Sequence, residues 1–406
     1  MSARETVEAD ICVVGAGIVG LAHAHEARAR GLRVVVVERH HRAVGASVRN
    51  FGHGFVSAMG EGEALECALA ARERWLELGA RAGLEVLELG SVVVARHADE
   101  LAVMARVAQD ERRSARMLTA SEVGALVPIP TDGLLGGMYA TRDIRVDCRQ
   151  AVGRLADLLE RDPEARILWG QPVHAVAPGR VESARASVRA PLAVICPGPD
   201  YATLGPELAP QRDGLTCCKL QMLRVAAPDG RRYGPALLTG LSLLRYPAFA
   251  ATEEFARVRA RIGRERPELV AAGIHLILTQ LPDGDLILGD THDYGEPASP
   301  FGVERLDQLL LSEARGLLGV PRLEVRERWH GVYPSAPGSP FLVAAPLPGV
   351  RVVEVVSGIG MTTALGLAPR VLDELLRGAS ERPADRRPAP FAARPPSAEA
   401  RAGCES

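Results

Sequence analysis

Lysine is nearly missing from this sequence: of its 48 basic residues, one is lysine, Lys219, and the rest are arginine. Also missing is any apolar run of the roughly 18 residues that crossing a bilayer requires. No block of like charge stands out and the net charge is −2, which excludes an extended surface for nucleic acid or anionic lipid. The seven cysteines, Cys12, Cys67, Cys148, Cys196, Cys217, Cys218 and Cys404, form no C-x-x-C pair, and two are adjacent. That spacing suits neither a zinc site nor a disulfide framework, so they read as buried thiols in a reducing, cytoplasmic setting. The opening MSARETVEAD is too charged for a signal peptide. No internal repeat is visible.

What remains is globular. At 406 residues with 47% hydrophobic and 24% charged content, the chain predicts two interleaved domains. Near its start, ADICVV leads into Gly15-Ala16-Gly17-Ile18-Val19-Gly20, then an Ala-rich helical segment, then LRVVVV ending at Glu38 and Arg39. This is a strand, a glycine turn, a helix and a second strand. Gly15 permits the tight turn, Gly17 allows a pyrophosphate to approach the backbone, and Gly20 lets helix and strand pack closely. The helix N-terminus offers free N–H groups to phosphates, and Glu38 is placed to accept the ribose hydroxyls. The motif separates neither NAD from FAD, though a carboxylate at this place argues against NADP.

Four later segments decide between them by resemblance. GASVRNFGHG (45–54, with Ser47, Arg49, Asn50, Gly52 and His53) resembles the loop along the flavin in the glycine oxidase/D-amino-acid oxidase superfamily. QPVHAV (171–176) resembles the strand whose Val173 position touches adenine, and LAVICPG (192–198, with Cys196 and Gly198) resembles the turn past the adenosine. VVSGIGMTTALGLA (355–368, with Gly358, Ile359, Gly360, Met361 and Thr362) resembles the closing turn into a helix aimed at the flavin. A helix N-terminus there stabilises the negative charge of reduced flavin. The resemblance implies FAD as cofactor. RNFG, CKLQMLR, GDTHDYG and WHGVYPSAPG further resemble a subfamily associated with aminophosphonate breakdown.

The departures carry information. Amino-acid oxidases of this superfamily place an Arg for the substrate carboxylate where this chain has Tyr333. A simple α-amino acid would therefore lose its anchor unless another cation has moved in. Sarcosine oxidases attach flavin through a cysteine where Gly331 stands here, which implies non-covalent FAD. They also keep an oxygen-activating lysine where Ile287 stands, so oxygen or another electron acceptor remains open. The run Thr216 to Val225 predicts a strand with Lys219 and Gln221 on one face and Leu220 and Met222 on the other. Lys219 and Gln221 are expected to face the polar cavity, with Lys219 as anion anchor or as handler of oxygen or water. The bland alternative is a chance codon at a solvated position. Arg49, His53, Tyr246, His292, His330 and Tyr333 complete the expected substrate wall, with Lys219, His53 and His330 as catalytic candidates. Asp290 and Arg245 lie in the same neighbourhood. No metal or nucleophilic triad is expected.

The fold expected is mixed α/β, a Rossmann-like FAD domain joined to a mostly antiparallel substrate sheet. The FAD domain is placed at 1–88, 145–214 and 335–380, the substrate domain at 89–144 and 215–334, and a disordered tail at 381–406. The implied reaction is oxidation of a C–N bond by hydride transfer to flavin N5, giving an imine that hydrolyses to an aldehyde and ammonia or methylamine. The expected substrate is 2-aminoethylphosphonate or its N-methyl derivative. The alternatives are a glycine, sarcosine or D-amino-acid oxidase or dehydrogenase, and a flavin-carrying subunit of a larger electron-transfer assembly. A homo-oligomer is one of the open states.

Overall fold

The computed structural model describes residues 4–200, 203–204 and 214–380; the predicted tail lies outside them. Its centre is a six-stranded sheet in the order Ala165–Leu168, Val34–Val37, Ile11–Val14, Leu192–Ile195, Val350–Val355, Phe341–Ala344. The first five are mutually parallel and the last is antiparallel. Ile11–Val14 and Val34–Val37 are buried along their whole length, which is why they read as unbroken apolar runs rather than alternating ones. The helices Ile18–Ala29, Glu63–Ala82 and Gly360–Ser380 share one apolar core with this sheet. Two of them touch backbone to backbone: a Cβ on Gly366 would lie 2.9 Å from Cys67 Cα. Trp75 Nε1 donates to the Met361 carbonyl at 2.7 Å, pinning the start of the last helix.

A second, nine-stranded and mostly antiparallel sheet draws on the alternate stretches of chain. Its order is Asp293–Gly295, Thr216–Val225, Leu286–Gly289, Ile277–Gln280, Ala236–Leu238, Ser91–Ala95, Gly136–Ala140, Ala115–Thr119, with Val325–Ser335 also paired to Thr216–Val225. A four-stranded sheet (Glu5–Glu8, Ala186–Arg189, Arg180–Ser183, Val173–Ala177) and a three-stranded one (His53–Gly54, Ile144–Val146, Val86–Leu87) complete the architecture. Five of the six cysteines of the described residues are buried. No described helix is long and apolar enough to cross a membrane.

Lys219 and Gln221 do lie on one face of Thr216–Val225, but it is the face turned away from the central cleft. Lys219 is 2% exposed, and its Nζ donates to the carbonyls of Ser299 (3.1 Å) and Phe301 (2.6 Å), with Asp293 at 3.8 Å. Gln221 donates to the Val303 carbonyl and Asp307 and accepts from the Val303 N–H, holding the start of the helix Glu304–Leu318. The parity was right and the side reversed. The reason is that both faces of this strand are buried: Leu220 faces the cleft, while the loop before Glu304 presents carbonyls that need donors. Lys219 is therefore a clamp. Replacing it by Met removes a buried donor from two carbonyls, so we expect a loss of roughly 2–4 kcal/mol in stability. Steady-state constants of the surviving folded enzyme should be unchanged; a raised KM with unaltered melting would refute the clamp.

Candidate active site

The glycine turn, the loop 45–52 and the turn 357–360 line one continuous cleft whose cavity measures about 320 Å³. Gly15 has φ +98°, and a Cβ there would overlap the Cys196 carbonyl oxygen. Ile18 N donates to Ser47 Oγ at 3.0 Å, tying the loop to the turn. Asn50 donates to the Ala46 and Ser47 carbonyls and accepts from Gly52 N at 2.7 Å, so it shapes the loop as well as lining the cleft. Glu38, 9% exposed, is oriented by the backbone N–H groups of Ala16 (2.8 Å) and His40 (2.9 Å). Arg39 pairs with Asp200. Thr362 Oγ1 accepts from Phe55 N at 3.1 Å, joining the last helix to the strand His53–Gly54.

Most of the expected cofactor residues line this cleft: Gly15, Gly17, Ile18, Val19, Gly20, Glu38, Arg39, Ser47, Asn50, Val173, Cys196, Gly198 and Gly358 to Thr362. Ala16 and Gly52 lie just behind its wall; Gly52 is required by a turn at φ +67°, where a Cβ would meet the Val146 carbonyl. Of the expected substrate residues, Arg49, His53, Tyr246, His292 and Tyr333 line the cleft. Lys219, Gln221 and His330 do not. A Cβ on Gly302 would lie 2.9 Å from His330 Nε2, so that ring faces the loop clamped by Lys219.

The chemistry at the cleft's other end centres on a residue that sequence reasoning left at the margin. Arg245, the residue following the 3-10 turn Gly240–Leu244, donates from Nη2 to Tyr333 Oη (3.1 Å) and to the Ser357 carbonyl (3.0 Å). Its Nε donates to His292 Nε2 at 3.0 Å, while His292 Nδ1 faces the Gly273 carbonyl at 2.8 Å. Those contacts fix the tautomer with the proton on Nδ1. Burial pushes His292 down to about 3, so it stays neutral. Tyr333 is itself pressed against the turn beside it: a Cβ on Gly358, φ +75°, would lie 2.9 Å from its Cζ.

Next to this group stand His275 and Asp290, 4% exposed each. His275 Nε2 lies 2.8 Å from Asp290 Oδ1. The contact is close but off the line of a good hydrogen bond, which leaves Oδ1 with acceptor capacity. Burial raises the Asp290 carboxyl, but His275, His292 and Arg245 outweigh it and hold it below the usual range, as a carboxylate. Asp290, His275 and His292 bring ligand-type atoms within 4.8 Å of one another. A metal cation there would sit against the Arg245 guanidinium, which argues for a hydrogen-bonded cluster instead. Rings wall the space: His53 stacks on Phe55 (4.6 Å), Phe55 meets Tyr246 edge-on (4.8 Å), and Tyr246 meets His275 (5.4 Å). His275 escaped sequence reading because it sits in a segment read only as a strand. Register would not have found it: with Ile277 opposite Gly289, an unbroken ladder sets His275 opposite Thr291, yet the backbone N–H and carbonyl of His275 pair with those of Asp290 at 3.4 and 3.3 Å.

Two buried groups of the cleft lack partners among the described residues: both ring nitrogens of His53 and both carboxyl oxygens of Glu354. Burial lowers His53 to about 3 and lifts Glu354 to about 8, so both are neutral at pH 7. Orphaned polar groups in a cleft passing two helix N-termini and an oriented carboxylate fit a bound dinucleotide. Acid should expose the cost of the neutral imidazoles. Below pH 6.5 the unfolded chain binds protons that His23, His53 and His292 refuse until about 4, 3 and 3. The unfolded state then holds more protons, and each group removes up to about 1.4 kcal/mol per pH unit as pH falls. The thermal midpoint should drop between pH 6.5 and 4; a flat profile would contradict these environments.

Fold and cleft define a dinucleotide-binding flavoprotein. The chain belongs to the FAD dependent oxidoreductase (DAO) family, which it matches over residues 10–373, and FAD is its cofactor. Among solved structures it is similar to L-proline dehydrogenase from P. horikoshii (TM-score 0.75, 17% identity, 92% of this chain and 94% of that one). It is also similar to glycine oxidase from Geobacillus kaustophilus (TM-score 0.71, 19% identity, 91% and 95%). A curated relative, one subunit of the anaerobic glycerol-3-phosphate dehydrogenase of Escherichia coli K12, is 42% identical over 52 residues, 13% of this chain and 10% of the relative's length. By its family the protein is an FAD-dependent oxidoreductase.

Proposed function

We propose that the substrate is a small amine carrying an acidic group, and that Arg245 holds the acid while Asp290 receives the amine. The observation behind this is the spacing of opposite charges: a guanidinium and a carboxylate lie on either side of one imidazole, His292. A molecule whose nitrogen and acid group are one or two carbons apart spans that gap. Arg245 supplies the positive charge that Tyr333 withholds, and Tyr333 adds a phenolic O–H beside it. Asp290 accepts a hydrogen bond from the amine, and His275 shares the proton as the nitrogen becomes neutral. Phe51, Phe55, Met59 and Leu220 keep water from the reacting carbon. Bound FAD supplies what side chains lack, acceptance of a hydride from the carbon beside nitrogen. For the cofactor itself we assign the diphosphate to the Gly15–Gly20 turn, the ribose to Glu38, the adenine to Val173 and the flavin end to Gly358–Thr362.

The narrower reading is an aminophosphonate, 2-aminoethylphosphonate or its N-methyl derivative. It no longer rests on Lys219. It rests on the subfamily resemblance and on a donor set, Arg245 with Tyr333 and Tyr246, able to meet several oxygens of one acid group. An α-amino acid is the second reading, favoured by the single guanidinium among the groups facing Asp290. Anaerobic mixing of the FAD-loaded protein with the two aminophosphonates, glycine, sarcosine and proline separates them by bleaching of the oxidised flavin. Bleaching by aminophosphonates alone supports the narrower reading, and bleaching by amino acids alone the second. No bleaching by any of them overturns the proposal. Turnover by the isolated protein would also exclude a merely flavin-carrying subunit.

A further inference from the structure

We propose that a second cavity, behind Phe51, is a binding site for a small monovalent anion, with the buried Arg145 guanidinium as its cation. The cavity measures about 220 Å³, and Phe51 walls both it and the main cleft. Arg145 sits mid-strand in Ile144–Val146, between His53 and Leu87 on the flanking strands. It is 7% exposed, and its Nε and Nη1 are buried without a hydrogen-bond partner among the described residues. Burial pushes it down only to about 10, so it carries its charge at neutral pH.

An unpaired guanidinium in such a place costs several kcal/mol unless something neutralises it. The polar neighbours are already committed. Asp147 accepts from Arg149 N (3.0 Å) and Gln150 Nε2 (2.7 Å), capping the helix Cys148–Glu160. Gln280 accepts from Tyr233 N and donates to the Arg231 and Gly284 carbonyls. Glu85, on the rim, is exposed. Among the described side chains lining the cavity, Arg145 is the one whose buried donor atoms lack a partner. One buried positive charge, with carboxylates at the edge, suits a halide or a small carboxylate and disfavours a dianion. The site is independent of the substrate reading above, since it lies on the other side of Phe51.

The test uses FAD-loaded protein at constant ionic strength, with chloride, bromide, acetate or sulfate varied. Halide or acetate should raise the thermal midpoint saturably, by about 2 °C at ten times the dissociation constant, and sulfate should not. In Arg145→Met the saturable part should vanish while non-specific salt effects persist. The same response in variant and wild type overturns the proposal. Should the variant fail to fold, crystals of the wild type grown in bromide and in acetate decide: an anion on Arg145 Nε or Nη1 supports the site. Its absence in both, or the Glu85 carboxylate folded onto Arg145, overturns it. The halide and acetate arms tell which anion class the site takes.

Discussion

Arg245→Met should leave a yellow, folded protein that its substrate hardly reduces. Removing one partner of a desolvated charged contact costs about 2–5 kcal/mol, so the second-order rate of flavin reduction should fall roughly 30- to 5,000-fold. The loss should appear mainly in substrate affinity, because the guanidinium binds the acid group before and during reaction alike. Arg245→Lys keeps the charge but cannot reach Tyr333, Ser357 and His292 together, so it should recover only part of the loss. Stopped-flow reduction under anaerobic conditions measures both. A neutral amine lacking an acid group is the control, since its slow reduction should be indifferent to the substitution. Equal effects on both amines would mean that Arg245 shapes the cleft without holding the substrate.

Gly20→Ala should yield colourless protein. A Cβ there would lie 2.9 Å from the Gly15 carbonyl carbon and closer still to its oxygen, with Val13 Cγ1 at 3.4 Å. Neither atom is the end of a flexible side chain, so the helix Ile18–Ala29 must lift from the strand Ile11–Val14 and carry the glycine turn with it. Overpacking of this kind costs about 3 kcal/mol or more, over a hundredfold in FAD affinity. Gly263→Ala is the matched control: it sits in the helix Phe255–Glu265 with nothing within 4 Å, and should gain up to about 1 kcal/mol of stability. FAD titration by quenching of its fluorescence separates the two. Tight FAD binding by Gly20→Ala would show that the turn is not what seats the diphosphate.

How much of this could be read from residue order depends on the range of the forces involved. The glycine turn was legible because a strand, three glycines and a helix are local, and each glycine has a steric reason within a few residues. The strand Thr216–Val225 and the hairpin from Ile277 to Gly289 were legible from alternation and from the Pro-Asp-Gly turn. Which face of Thr216–Val225 looks into the cleft was not. Alternation fixes parity, and only the packing of the helix Glu304–Leu318 against the far side decides the direction. Arg245 was hard for a related reason. It follows an irregular turn, and its partners Tyr333 and Ser357 are 88 and 112 residues away. A cation near Tyr333 was foreseen only as a condition, and the guanidinium that stands beside it was located by tertiary structure.

One consequence of the buried lysine concerns handling of the protein at the bench. With Lys219 enclosed by its own loop, an amine-reactive dye or cross-linker finds no accessible lysine side chain on the folded molecule. Acylation of that single residue, followed by mass, would then serve as a clock for the opening of the segment 299–301.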